Sequence, residues 1–81
     1  MKLIQIGERK LSCFEREDRK LYFSYGTPIA YVMDDIVHVT LQRFSPTTSR
    51  HKNLITNELE YGKLNKTEGG DLFNKMVSLY F

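Results

Sequence analysis

Residues 20–44 alternate as strands do, and at Ser45-Pro46 the apolar period changes to a helical one. That switch restricts the chain to a sheet followed by helices. In residues 20–25, Leu21, Phe23 and Tyr25 share one face, and Tyr22 and Ser24 share the other. Gly26-Thr27-Pro28 breaks the pattern as a bend or an edge, because Pro28 has no N–H for a ladder. Residues 29–33 resume it, and Asp34-Asp35 reads as a tight turn. Residues 36–44 are the longest predicted strand. Val37, Val39 and Leu41 form its expected core face, and Ile36, His38, Thr40, Gln42 and Phe44 form the other. Upstream, residues 2–6 form a short strand turned by Gly7-Glu8. Residues 9–16 form a second, with Leu11 and Cys13 opposite Phe14, and Glu17-Asp18 forms its hairpin tip.

Ser45 is a good N-cap and Pro46 fits the first helical position. The helix is expected over residues 46–61, with Leu54, Ile55, Glu58 and Leu59 at helical spacing and Gly62 ending it. Residues 63–70 read as a polar loop. Asp71 then caps a final helix carrying Leu72, Phe73, Met76, Val77 and Tyr80 on one face. An edge strand over residues 76–81 is the alternative. The predicted fold is α+β, a single domain over residues 1–81. It is an antiparallel β-meander of four or five strands followed by two helices, at least one packed on the sheet.

With 81 residues there is room for one core, and ten aromatics help to fill it. A domain of this size buries only about 60–65% of its unfolded surface. Association into a homo-oligomer is one common remedy. Cys13 stands alone, which rules out an internal disulfide and argues against a metal cluster. No apolar run nears the ~18 residues of a membrane span, and no secretory leader is evident. The expectation is a cytoplasmic protein, in a host cell, with no membrane partner. Net charge is only +2, from 12 basic and 10 acidic side chains, and the signs are mixed. Composition alone therefore does not point to nucleic acid.

The chemistry-bearing stretch runs from Arg43 to Lys52. Ser45, Thr47, Thr48 and Ser49 supply hydroxyls, and Arg43, Arg50 and Lys52 supply charge beside a helix N-terminus. These are the ingredients of an anion or phosphate site. Capping chemistry alone explains the hydroxyls equally well. The charge order also runs against the helix dipole, with cations at its start and Glu58 and Glu60 near its end. His51, near the apolar face, reads as packed or hydrogen-bonded, and His38 as a sheet-face side chain. Asp34-Asp35 lacks the spaced ligands of a calcium loop, and Gly69-Gly70 lacks the Lys-Ser/Thr of a phosphate loop. No catalytic residue, metal site or cofactor is expected.

The run from Tyr22 to Ala30 (YFSYGTPIA) and that from Phe44 to His51 (FSPTTSRH) together resemble a small uncharacterised family encoded mainly by bacteriophages and other mobile elements. The resemblance covers residues 20–56. It implies an aromatic strand ending in Thr-Pro, a hairpin, and a Ser/Thr segment with a basic residue and His opening a helix. It implies an origin and no activity. Phe44 stands where such chains often carry Trp.

The reading that follows is a non-enzymatic binding module contacting nucleic-acid phosphates through Arg43, Ser45, Thr47, Thr48, Ser49, Arg50 and Lys52. The alternative is a protein-interaction module that modulates a host enzyme or defence complex, of the host-takeover kind. Its surface would use Tyr22, Tyr25, Pro28 and Phe44 near an exposed strand edge.

Overall fold

A computed structural model describes the backbone of residues 2–5 and the backbone and side chains of residues 10–81. The predicted Gly7-Glu8 turn lies outside the described residues. Five strands run up and down in sequence order: β1 (Lys2–Gln5), β2 (Leu11–Arg16), β3 (Arg19–Ser24), β4 (Thr27–Met33) and β5 (Ile36–Thr40). Helix α1 (Pro46–Leu54) then widens into a π-helical turn, Ile55–Leu59. Strand β6 (Leu64–Glu68) and helix α2 (Gly70–Tyr80) complete the chain.

The antiparallel meander and both helices match the α+β expectation, and the C-terminal segment is helical rather than an edge strand. One element differs. The segment read as a polar loop contains β6, which pairs parallel to β5 with Ile36 opposite Leu64 and Thr40 opposite Glu68. A parallel neighbour must start at the same end of the sheet as β5, so the chain has to cross over first. Helix α1 and its π turn are that crossover. Polar β6, with four of its five residues exposed, carries no apolar alternation that could have announced it.

The meander is folded by tight turns with left-handed backbone. Tyr25 (φ 53°) and Gly26 (φ 78°) link β3 to β4, and Asp34 (φ 55°) and Asp35 (φ 62°) link β4 to β5. Positive φ at both central positions matches the right-handed twist of paired strands. The turn is thus Tyr25-Gly26, and Thr27 and Pro28 already belong to β4. Pro28 sits opposite Phe23, next to a bulge at Ile29, and β4 pairs with β5 only from Ala30 onward. The missing N–H therefore costs no ladder bond.

Each sheet face is covered by a helix. Leu11, Cys13, Tyr22, Ile29, Ala30, Val32, Val37 and Val39 pack with Ile55 and Leu54 of the crossover. Leu21 and Tyr31 pack with Phe73 of α2, joined by Phe14, Phe23, Met33, Met76, Val77 and Phe81. The alternation of β2 and β3 is as predicted, except at Tyr25, which leaves the strand at the turn. Strand β5 is shorter than expected and ends at Thr40, so Leu41 falls outside the core, at 59% exposure. Gly69 rather than Asp71 occupies the α2 N-cap, and Asp71 lies in the first turn. At the other end of α2, Arg19 Nη1 donates to the Tyr80 carbonyl at 3.1 Å, a cation on the negative pole of the helix.

Candidate functional site

The start of α1 is built inward. Ser45 is extended, and its Oγ accepts the Thr48 N–H at 3.2 Å while donating to Thr48 Oγ1 at 3.3 Å. Thr48 is buried, with Oγ1 3.0 Å from Ser24 Oγ on β3, and Ser24 Oγ lies 2.7 Å from His51 Nδ1. If each hydroxyl donates to the next, the chain of protons runs from Ser45 to Thr48 to Ser24 to His51 and leaves the imidazole proton on Nε2. That Nε2 is buried with no partner among the described residues. The Tyr25 ring stacks over His51 at 6.2 Å. Ser24 is 2% exposed and His51 is fully buried, so the pair is packed inside the joint. Ser45, Thr48 and His51 thus belong to the joint between α1 and the sheet.

Lys52 lies one residue further along the helix. Its ammonium donates to the carbonyls of Thr40 (2.9 Å) and Gln42 (2.7 Å), capping the end of β5. Burial, together with the nearby Arg43 guanidinium, lowers its pKa. The Phe44 ring lies 5.8 Å from the same ammonium. Lys52, Arg43 and Ser49 line a groove of about 520 Å³ between α1 and β6. Asn53 and Thr56 of the crossover form the rest of one wall. Asn65 and Thr67 of β6 form the other, and Val39, Thr40 and Leu41 form the floor.

Of the seven predicted anion-site residues, the fold brings together Arg43, Ser49 and Lys52. Arg50 lines a separate shallow depression with Asn53, Leu54, Asn57 and Glu58. Thr47 is half-buried and lines neither, while Ser45 and Thr48 turn to the joint. The groove adds Asn53, Thr56, Asn65 and Thr67. Asn53 and Thr56 follow Lys52 on the helix and were within reach of its spacing. Asn65 and Thr67 become wall residues only because β6 is a strand.

The four suggested protein-contact residues also separate. Tyr22 is buried, with its hydroxyl on Glu60, so it offers no surface. Pro28 is half-buried on an interior strand, since the sheet edges are β1 and β6. Tyr25 and Phe44 are exposed.

Two buried carboxylates account for much of the remaining polar interior. Glu60 accepts from Tyr22, Lys20 and Lys63. Burial pushes its carboxyl up, but these three donors outweigh it and the pKa is lowered. Glu68 accepts the Tyr31 hydroxyl at 2.9 Å and lies 3.2 Å from His38 Nδ1, with the His38 ring stacked on Tyr31 at 4.3 Å. His38 is a sheet-face side chain, as its alternation predicted. Among the described residues no three His, Cys, Asp or Glu side chains converge to hold a metal ion. No helix among them is long and apolar enough to cross a membrane.

A family model described as a family of unknown function (DUF8033) matches residues 1–75. No curated protein and no solved structure matches the chain.

Proposed function

We propose that this chain, which belongs to the family of unknown function DUF8033, is a non-enzymatic module that contacts nucleic-acid phosphates through the groove between α1 and β6. The observation that carries the reading is the lining of that groove. It holds two cations, Arg43 and Lys52, with four hydroxyls and two amides, and no carboxylate. Burial first, and then the Arg43 guanidinium, lower the Lys52 pKa, and an anion between the two cations relieves their repulsion. Phosphate contacts of this kind position a polymer without reading its sequence.

A salt titration of binding to mixed-sequence DNA and RNA tests it. The expected result is micromolar or tighter binding that weakens steeply with salt, and a slope reduced by about one on replacing Arg43 with Ala. Asn65→Asp, which sets a carboxylate in the groove at constant size, should weaken binding further. Absence of binding at low salt would remove the reading. Lys52 is a poor first target because its replacement also uncaps β5.

A second reading has its own observation. Among the described residues β6 has a strand neighbour on one side only; its first residue, Leu64, is 73% exposed, and Tyr61, just before it, is 83% exposed. An extended segment of a protein partner could add to that edge, as a module acting on a host enzyme would require. A nuclease-resistant, stoichiometric complex lost in Tyr61→Ala and Leu64→Arg would favour it. The phage or mobile-element origin suggested by the YFSYGTPIA and FSPTTSRH motifs is part of this proposal. Finding DUF8033 genes mainly in ordinary chromosomal operons would count against it.

A further inference from the structure

Resting on the phosphate reading, we infer that the groove takes an unpaired strand of nucleic acid, with a phosphate between Arg43 and Lys52 and an adjacent base stacked on Phe44. Three observations converge. Phe44 is a large apolar side chain left 43% exposed in the irregular segment between β5 and α1. It directly follows Arg43, and its ring lies 5.8 Å from the Lys52 ammonium, so an exposed aromatic ring stands beside the groove's cations without itself lining the groove. An exposed ring beside a cationic track is how sequence-tolerant single-strand binders hold bases.

The second observation is the remaining lining. Asn53, Asn65, Ser49, Thr56 and Thr67 offer donors and acceptors inside a concavity. A duplex keeps its bases stacked behind the phosphate backbone, beyond the reach of side chains within such a groove. A splayed nucleotide can bring its sugar and base edge to them. The third is the charge count. Two groove cations and a net charge of +2 serve one or two phosphates, whereas duplex binding normally draws on a broader basic surface.

The test compares fluorescein-labelled eight-nucleotide oligo-dT and oligo-rU with a blunt, loop-free duplex long enough to stay paired, at equal phosphate concentration, by anisotropy at low salt. The expected order is single strand tighter than duplex. Phe44→Ala should weaken single-strand binding about tenfold to a hundredfold, and Phe44→Trp should retain it. Phe44 lies outside both core clusters, and a thermal melt of each variant confirms that the fold is intact. Equal affinity for single strand and duplex, or unchanged binding by Phe44→Ala, would overturn the inference and leave the phosphate reading standing. No binding of any of the three probes would overturn both.

Discussion

The Tyr22 hydroxyl on β3 donates to the Glu60 carboxylate at the end of the crossover, 38 residues away in sequence. The bond joins the middle of the sheet to the segment that carries the chain over it, in a site where Glu60 is almost wholly buried. Lys20 and Lys63 complete its shell, and both are about one-third exposed. Removing the carboxylate lets the two lysines rehydrate but leaves the buried Tyr22 hydroxyl without an acceptor. Glu60→Ala is therefore expected to cost about 2–3 kcal/mol, and Tyr22→Phe about 1–2 kcal/mol, since Glu60 keeps two other donors. Urea unfolding with an unchanged m-value checks both. A double-mutant cycle should show that the two costs do not add.

Glu60 also sets an acid limit on stability. Its folded pKa lies below the ordinary carboxylate value because its three donors outweigh burial. The unfolded chain therefore takes up this proton first. The contribution is complete above the unfolded pKa of about 4.3 and is lost as pH falls through the lower folded value. Unfolding free energy measured from pH 7 to pH 3 should fall in that window, and Glu60→Gln should flatten the fall.

Burial, with the Glu15 carboxylate adding to it, pushes the Cys13 thiol up to about 11. The reactive species is the thiolate, and Cys13 is 2% exposed. Its labelling by a disulfide reagent at pH 8 should follow the opening rate of the fold. It should become fast only in denaturant. Rapid stoichiometric labelling of the native protein would show that the α1-side core opens readily.

Helix α2 hangs on Phe73, which is fully buried between Leu21 and Tyr31. Phe73→Ala should cost about 3–5 kcal/mol, enough to unfold a domain this small or to release α2. Leu72, its exposed neighbour, is the control. Leu72→Ala should shift the melting midpoint little.

Asp34 and Asp35 both hold positive φ in a two-residue turn. Asn-Gly suits that geometry better. The pair Asp34→Asn and Asp35→Gly should stabilise the protein by about 0.5–1 kcal/mol, since relief of the left-handed backbone outweighs the added freedom of the unfolded chain. The urea midpoint reads it directly.

The charge order of the crossover shows how far local reasoning reached. On the helix expected over residues 46–61 the cations come early and Glu60 late, against the dipole. In the structure Lys52 falls in the last turn of α1 and Glu60 is the C-cap of the π turn. Their use is tertiary: Lys52 caps the end of β5 and Glu60 receives Tyr22. Ser45 and Thr48 were legible as capping residues. Their link through Ser24 to His51 was not, because β3 and α1 meet only when the sheet is covered.

What the sequence determined by itself is the meander, the helix start at Ser45-Pro46 and the Phe73, Met76 and Val77 line of α2; the first helix closes before Gly62, at Leu59 with Glu60 as C-cap, and Leu72 of the expected apolar face is exposed. Alternation, capping and left-handed turns are local and act on neighbouring residues. The tertiary structure alone decided that 64–68 is a strand, because polar β6 gains its ladder only from β5 and only after the crossover has returned the chain. It also decided that Arg43, Ser49 and Lys52 share a groove with Asn65 and Thr67, since strand pairing and helix packing, acting at a distance in sequence, set which side chains face one another.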